Sequence, residues 1–116
     1  MPNIIKETAI EKGSFKIKNE CFDESGNAIP PDSLSWTLTD IKGVEIINSR
    51  EEVPIITPAE ENIILLYGDD LAIDNKEKTD RVILFEGTYT SGDFGASIPI
   101  KDEAVFTIIP LTKAGI

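Results

Sequence analysis

The chain has no histidine and a single cysteine, Cys21. Without histidine, triads that use an imidazole base, His-ligated zinc centres and HExxH helices are all excluded. Without a second cysteine there is no intrachain disulfide, so folding does not call on an oxidising compartment. Cys21 reads as a small, half-buried apolar residue at a strand end rather than as a reactive thiol. Long apolar runs are missing too: the longest, Ile63 to Tyr67, is strand-sized, against the roughly 20 residues of a membrane span. The opening MPNIIKETAIEKG places Lys6, Glu7, Glu11 and Lys12 where a secretory signal would need an apolar stretch, so production in a cytoplasm is expected.

Positive charge is scarce. Lys and Arg total 11 against 21 Asp and Glu, a net charge of −10. Nucleic-acid backbones and anionic membranes would repel such a chain, which leaves protein, a neutral ligand or a cation as counterpart. At 116 residues the chain has room for one domain and no interdomain cleft, with enough core to fold without a metal.

What is present is strand-like. Ser14 to Phe22 alternates, with Phe15, Ile17 and Cys21 on one side and Lys16, Lys18 and Glu20 on the other. DESGNAIPPD (23–32) is a loop, because glycine and the Pro30-Pro31 pair break any ladder. Ser33 to Asp40 alternates most cleanly, with Leu34, Trp36 and Leu38 inward and Ser35, Thr37 and Thr39 outward. A turn over Asp40 to Gly43 then leads to Val44 to Ser49, expected as the partner strand of a hairpin. Val53 to Thr57, interrupted by Pro54, suits an edge strand. Asn62 to Tyr67, Arg81 to Thr90 and Ile98 to Ile109 complete the set, the last expected to break near Pro99, with SGDFGA (91–96) as a hairpin loop. About seven short strands and no helical stripe predict an all-β, antiparallel sandwich of the immunoglobulin or fibronectin type, with a small barrel as the alternative. The expected organisation is a flexible N-terminal arm over 1–13, the sandwich over 14–109 and a C-terminal tail over 110–116.

Chemistry is sparse. Asp69, Asp70, Asp74 and Asp80 fall in neighbouring loops that could hold Ca²⁺, although their spacing matches no EF-hand and solvated loop charge is the plainer reading. No catalytic residue, cofactor or resident metal is expected. Apolar residues exceed what one buried face per strand needs, notably in Ile63-Ile64-Leu65-Leu66 and Val82-Ile83-Leu84-Phe85. With Ile63, Leu65, Tyr67, Ile83, Phe85 and Tyr89 inward, Ile64, Leu66, Val82 and Leu84 form an outward stripe, the expected protein interface.

From Leu34 to Ile108 the blocks SWTLTD, INSR, the apolar strand leading into GDDLAI, EGTYTS and IPIKDEAVF follow one another. This pattern resembles a group of small immunoglobulin-like proteins encoded among the structural genes of tailed bacteriophages and prophages. It departs from that group at Ile41-Lys42, where a more polar turn pair is expected. The resemblance implies a non-enzymatic subunit of the head, neck or tail. It would be made in a bacterial host cytoplasm and be virion-associated, docking on other virion proteins or on copies of itself. It brings no catalytic residues. The alternative function is an immunoglobulin-like module for a carbohydrate or cell-surface ligand, perhaps with Ca²⁺, for which Phe94 at a loop tip is the obvious exposed aromatic.

Overall fold

In Ser33–Asp40 the small and apolar residues alternate, and this strand, β3, sits within a larger sheet with its Leu34, Trp36 and Leu38 side chains buried. A computed structural model describes residues 3–73 and 77–110. Its strands are β1 (Asn3–Ile10), β2 (Ser14–Glu20), β3, β4 (Val53–Pro54), β5 (Glu61–Tyr67), β6 (Thr79–Ser91) and β7 (Gly95–Ile109), with one 3₁₀ turn at Gly68–Leu71. A five-stranded sheet in the order β1-β7-β6-β3-β4 packs on a two-stranded sheet, β2-β5. The protein is an all-β sandwich. Its core lies between the sheets, with Leu38, Leu66, Leu71, Ile83, Phe106 and Ile108 almost wholly excluded from water. Phe15 of the small sheet stacks on Phe106 of the large one at 5.4 Å between ring centroids.

Several expectations need correction. The arm expected over 1–13 is, from Asn3 to Ile10, an edge strand that runs parallel to β7. An edge strand needs only a few core residues, and Ile5 and Ala9 supply them while Glu7 stays exposed. The tail beyond residue 110 and Asp74 lie outside the described residues.

Val44 to Ser49 forms no strand. Its contact with β3 is reduced to an isolated Thr39–Ile46 bridge and scattered backbone bonds, because Asn48 and Ser49 both take left-handed backbones, φ +52° and +55°. With the Arg50 amide bonded to the Ile47 carbonyl at 3.0 Å, they form a tight turn in place of extended chain.

The last strand runs unbroken through Pro99. The Ile109 carbonyl accepts the Glu11 amide on the β1 side, so odd-numbered β7 residues direct their backbone groups to that side. β1 pairs only as far as Ala104, so Pro99, of the same parity, would have pointed a missing N–H at an open edge. β4 does occupy the edge that Pro54 suggested.

Gly87 in β6 is fixed by close approach. A Cβ there would run into the carbonyl of Ser33 on β3. The glycine of EGTYTS therefore lets β6 and β3 pair from Ser33–Thr88 to Asp40–Arg81.

Candidate functional site

The parity of β5 decides which of its side chains are available to a partner. β2 buries Ile17 and Asn19, and Phe15 packs partly buried against the core. The register pairs Phe15 with Leu66, Ile17 with Ile64 and Asn19 with Asn62. Directly opposed residues share a face, so the even-numbered residues of β5 turn inward. Ile64 and Leu66, expected outside, are core residues at 8% and 0% exposure, while Ile63, Leu65 and Tyr67 stand out at 58%, 51% and 56%. A run of five apolar residues carries no parity of its own. The inward signal sat in its polar flank, where Asn62 pairs with Asn19 in a buried polar contact. Asn62 also bonds both ways with Ala59, at 2.8 Å each, which satisfies its amide.

The outward half of the expected interface on β6 fares differently. Val82 and Leu84 lie off the core cluster, on the outer face of the large sheet. Val82 is nonetheless 7% exposed, because its cross-strand neighbours Thr39 and Val105 close over it. Leu84 is half-buried, between Thr37 and Glu103. Among the described residues, the large apolar side chains more than half exposed on a strand are therefore Ile63, Leu65 and Tyr67 of the small sheet. Lys16 and Lys18 stand beside them on β2, opposite Leu65 and Ile63.

The INSR and GDD blocks meet in space. Asp70 in the 3₁₀ turn is fully buried, and its carboxylate accepts Asn48 Nδ2 and Arg50 Nε, each at 2.8 Å, Arg50 Nη2 at 3.3 Å and the Tyr67 amide at 3.2 Å. Burial pushes its carboxyl up, but the hydrogen bonds from Arg50, Asn48 and the Tyr67 amide outweigh that and hold it below the ordinary 3.8. The guanidinium also lies 5.8 Å from the Trp36 ring centroid and 5.9 Å from that of Tyr67, so one cation serves a carboxylate and two aromatic faces. This geometry corrects the place of Asp70 among the Ca²⁺ candidates, since its oxygens are already committed to protein donors. Asp69 is exposed, and Asp80 accepts the hydroxyl of Thr107, its register partner on the neighbouring β7, at 2.7 Å. Among the described residues no three His, Cys, Asp or Glu side chains converge as a metal site.

A second carboxylate works by different means. Glu24, in the 23–32 loop, accepts Tyr89 Oη at 2.9 Å and Ser91 Oγ at 3.1 Å, one on each oxygen. Ser91 Oγ in turn accepts the Asp93 and Phe94 amides at 3.1 Å and so shapes the β6-β7 hairpin tip. Burial, and then the neighbouring Glu24 carboxylate, push the Tyr89 phenol above its ordinary 10.0. Phe94, at that tip, is 71% exposed.

A shallow cleft of about 360 Å³ opens between the end of β2 and the large sheet, floored by Cys21, Leu34, Phe85 and Ile100 and rimmed by Glu20, Lys101 and Asp102. Burial, then the charge of Asp102, raise the Cys21 thiol above 9.0, and its Sγ donates to Asn19 Oδ1 at 3.1 Å. A thiol held protonated and hydrogen-bonded is a packing group rather than a nucleophile. No family model, no curated protein and no solved structure matches the chain.

Proposed function

We propose that this chain is a non-enzymatic structural subunit that works by docking on other proteins, of the kind found in tailed-phage and prophage particles. The observation that carries the reading is the stripe Ile63-Leu65-Tyr67, three large apolar side chains more than half exposed on one strand face. Contiguous apolar surface on a strand face is what an assembly contact uses, and scattered single residues are not. The strand order supports the immunoglobulin-like part of the reading: a first strand parallel to the last, beside an antiparallel β6-β7 hairpin, over a smaller second sheet. The buried carboxylate of Asp70 is held by Arg50, Asn48 and the Tyr67 amide, which suits a structural clamp.

In this reading the chain is made in the host cytoplasm, and its net charge of −10 keeps free subunits soluble until they dock. Its partners are virion proteins and copies of itself, with no role for nucleic acid, membrane or cofactor. The test is quantitative mass spectrometry on density-purified particles released by inducing the source strain. Stoichiometric recovery of the chain with the particles is the expected result. Its absence from purified particles while it stays abundant in the soluble lysate overturns the reading.

A further inference from the structure

An open strand edge invites another strand, and proteins blunt such edges with proline, charge or a bulge. The edges of this sandwich differ in that respect. β4 is two residues long and contains Pro54. The stretch of β7 that β1 leaves uncovered carries Pro99 and Lys101, with a register shift beside Tyr89 and a left-handed Ser97 at φ +60°. β5 has neither proline nor a bulge, and after its opening Glu61 it reads Asn-Ile-Ile-Leu-Leu-Tyr, without charge. The Cys21 amide bonds the Glu60 carbonyl and the Gly68 amide bonds the Gly13 carbonyl, so even-numbered residues face β2 and odd-numbered ones face the open side. Tyr67 spends its outward N–H on Asp70. Among the described residues, nothing pairs with the backbone groups of Ile63 and Leu65.

We propose that the β5 edge pairs antiparallel with β5 of a second copy of this chain, about a two-fold axis through Ile64, giving a continuous β2-β5-β5-β2 sheet. This inference rests on the docking function and names its contact. Three features select the occupant and the register. The pairing puts Ile63 of each copy opposite Leu65 of the other, joining outward-facing apolar side chains and exchanging the unpaired N–H and C=O groups of both residues. It sets Glu61 opposite Tyr67, so no like charges meet, whereas an axis through Ile63 would press Glu61 against Leu65. Finally, the outer face of the small sheet carries Lys16 and Lys18 against Glu20 and Glu61 and is locally neutral, so two copies of a chain with net charge −10 can approach there without like-charge repulsion.

The experiment is sedimentation equilibrium of the full chain from about 10 μM to about 1 mM, with amide hydrogen exchange at both ends of that range. The expected result is a monomer–dimer equilibrium, with the Ile63 and Leu65 amides gaining protection as the dimer fills. Leu65→Pro removes an N–H that points only to the open edge, by the logic of Pro99, and Ile63→Lys supplies the missing edge charge. Each is expected to weaken association at least tenfold while the circular dichroism of the monomer is kept, and Ile63→Lys holds the test open should the proline disturb the strand. A mass of 12.7 kDa at every concentration overturns the pairing, as does a dimer that survives Ile63→Lys. Stoichiometric recovery in particles together with a strictly monomeric free chain would overturn this contact alone and leave the docking function standing.

Discussion

Asp70 and Glu24 each tie a loop to the sandwich with both carboxylate oxygens, yet they do it in opposite environments. Asp70 is fully excluded from water and answers a cation, Arg50, whose own side chain is only 29% exposed. Glu24 sits on the surface and answers two hydroxyls, Tyr89 and Ser91. A buried carboxylate without its cation is an uncompensated charge in a poor solvent, whereas an exposed one without its hydroxyls is simply rehydrated. The first clamp is therefore a condition of folding for the 44–52 segment and the 3₁₀ turn. The second is an adjustment of the hairpin tip.

Removing the cation should break the comparison most sharply. Arg50→Ala strands the Asp70 charge and is expected to cost about 3 kcal/mol, near the low end for a broken buried pair because the guanidinium keeps partial contact with water. Urea unfolding measures it, and a loss no larger than that of an ordinary surface substitution would show that Asp70 is hydrated after all.

A smaller effect follows from acid. The folded state holds Asp70 below the ordinary 3.8, so on acidification the unfolded chain takes up that proton first. The stabilisation is complete above 3.8 and drains away as pH falls through the lower folded-state value. The urea midpoint of the wild type should fall more steeply below about pH 4 than that of Asp70→Asn, and parallel curves would count against the clamp.

The smallest effect belongs to Glu24→Gln. The Tyr89 phenol should titrate closer to 10.0 in an ultraviolet titration, though still above it because burial is the larger cause of its shift. A Tyr67→Phe background isolates the signal, since these are the two tyrosines of the chain. The accompanying loss of stability should fall well below that of Arg50→Ala. An unmoved phenol would place the whole shift on burial.

What could be read from the residues divides along the same physical lines. Ser33–Asp40 was legible to the residue as a strand, because apolar and small polar residues alternate along it, although Thr37 and Thr39 on the second face are covered as well. Trp36 and Tyr89 belong to the buried side as expected, and the Tyr89 hydroxyl reaches Glu24. β5 was legible as a strand but not in its orientation, since alternation vanishes when both faces are apolar and only pairing with β2 decides it. That single ambiguity exchanged Ile64 and Leu66 for Ile63 and Leu65 as the exposed set. Asp70 reads as solvated loop charge because its cation, Arg50, lies 20 residues upstream, held in place by a turn of two left-handed residues, Asn48 and Ser49, with no glycine to announce it. The INSR and GDD blocks stand apart along the chain, and nothing in the sequence says that they touch. β1 was hidden by Lys6 and Glu7, charges that an edge strand tolerates.

The parallel pairing of β1 with β7 also has a mechanical side. Asn3 lies beside Ala104 and Ile10 beside Ile109, so the first and last described strands point the same way from opposite ends of one ladder. A pull on the chain beyond these strands drags them past each other along their length and loads every bond of the ladder at once. A hairpin pulled from its open end would instead yield one bond at a time. A fold built this way resists extension along its own axis, because its hydrogen bonds share the load.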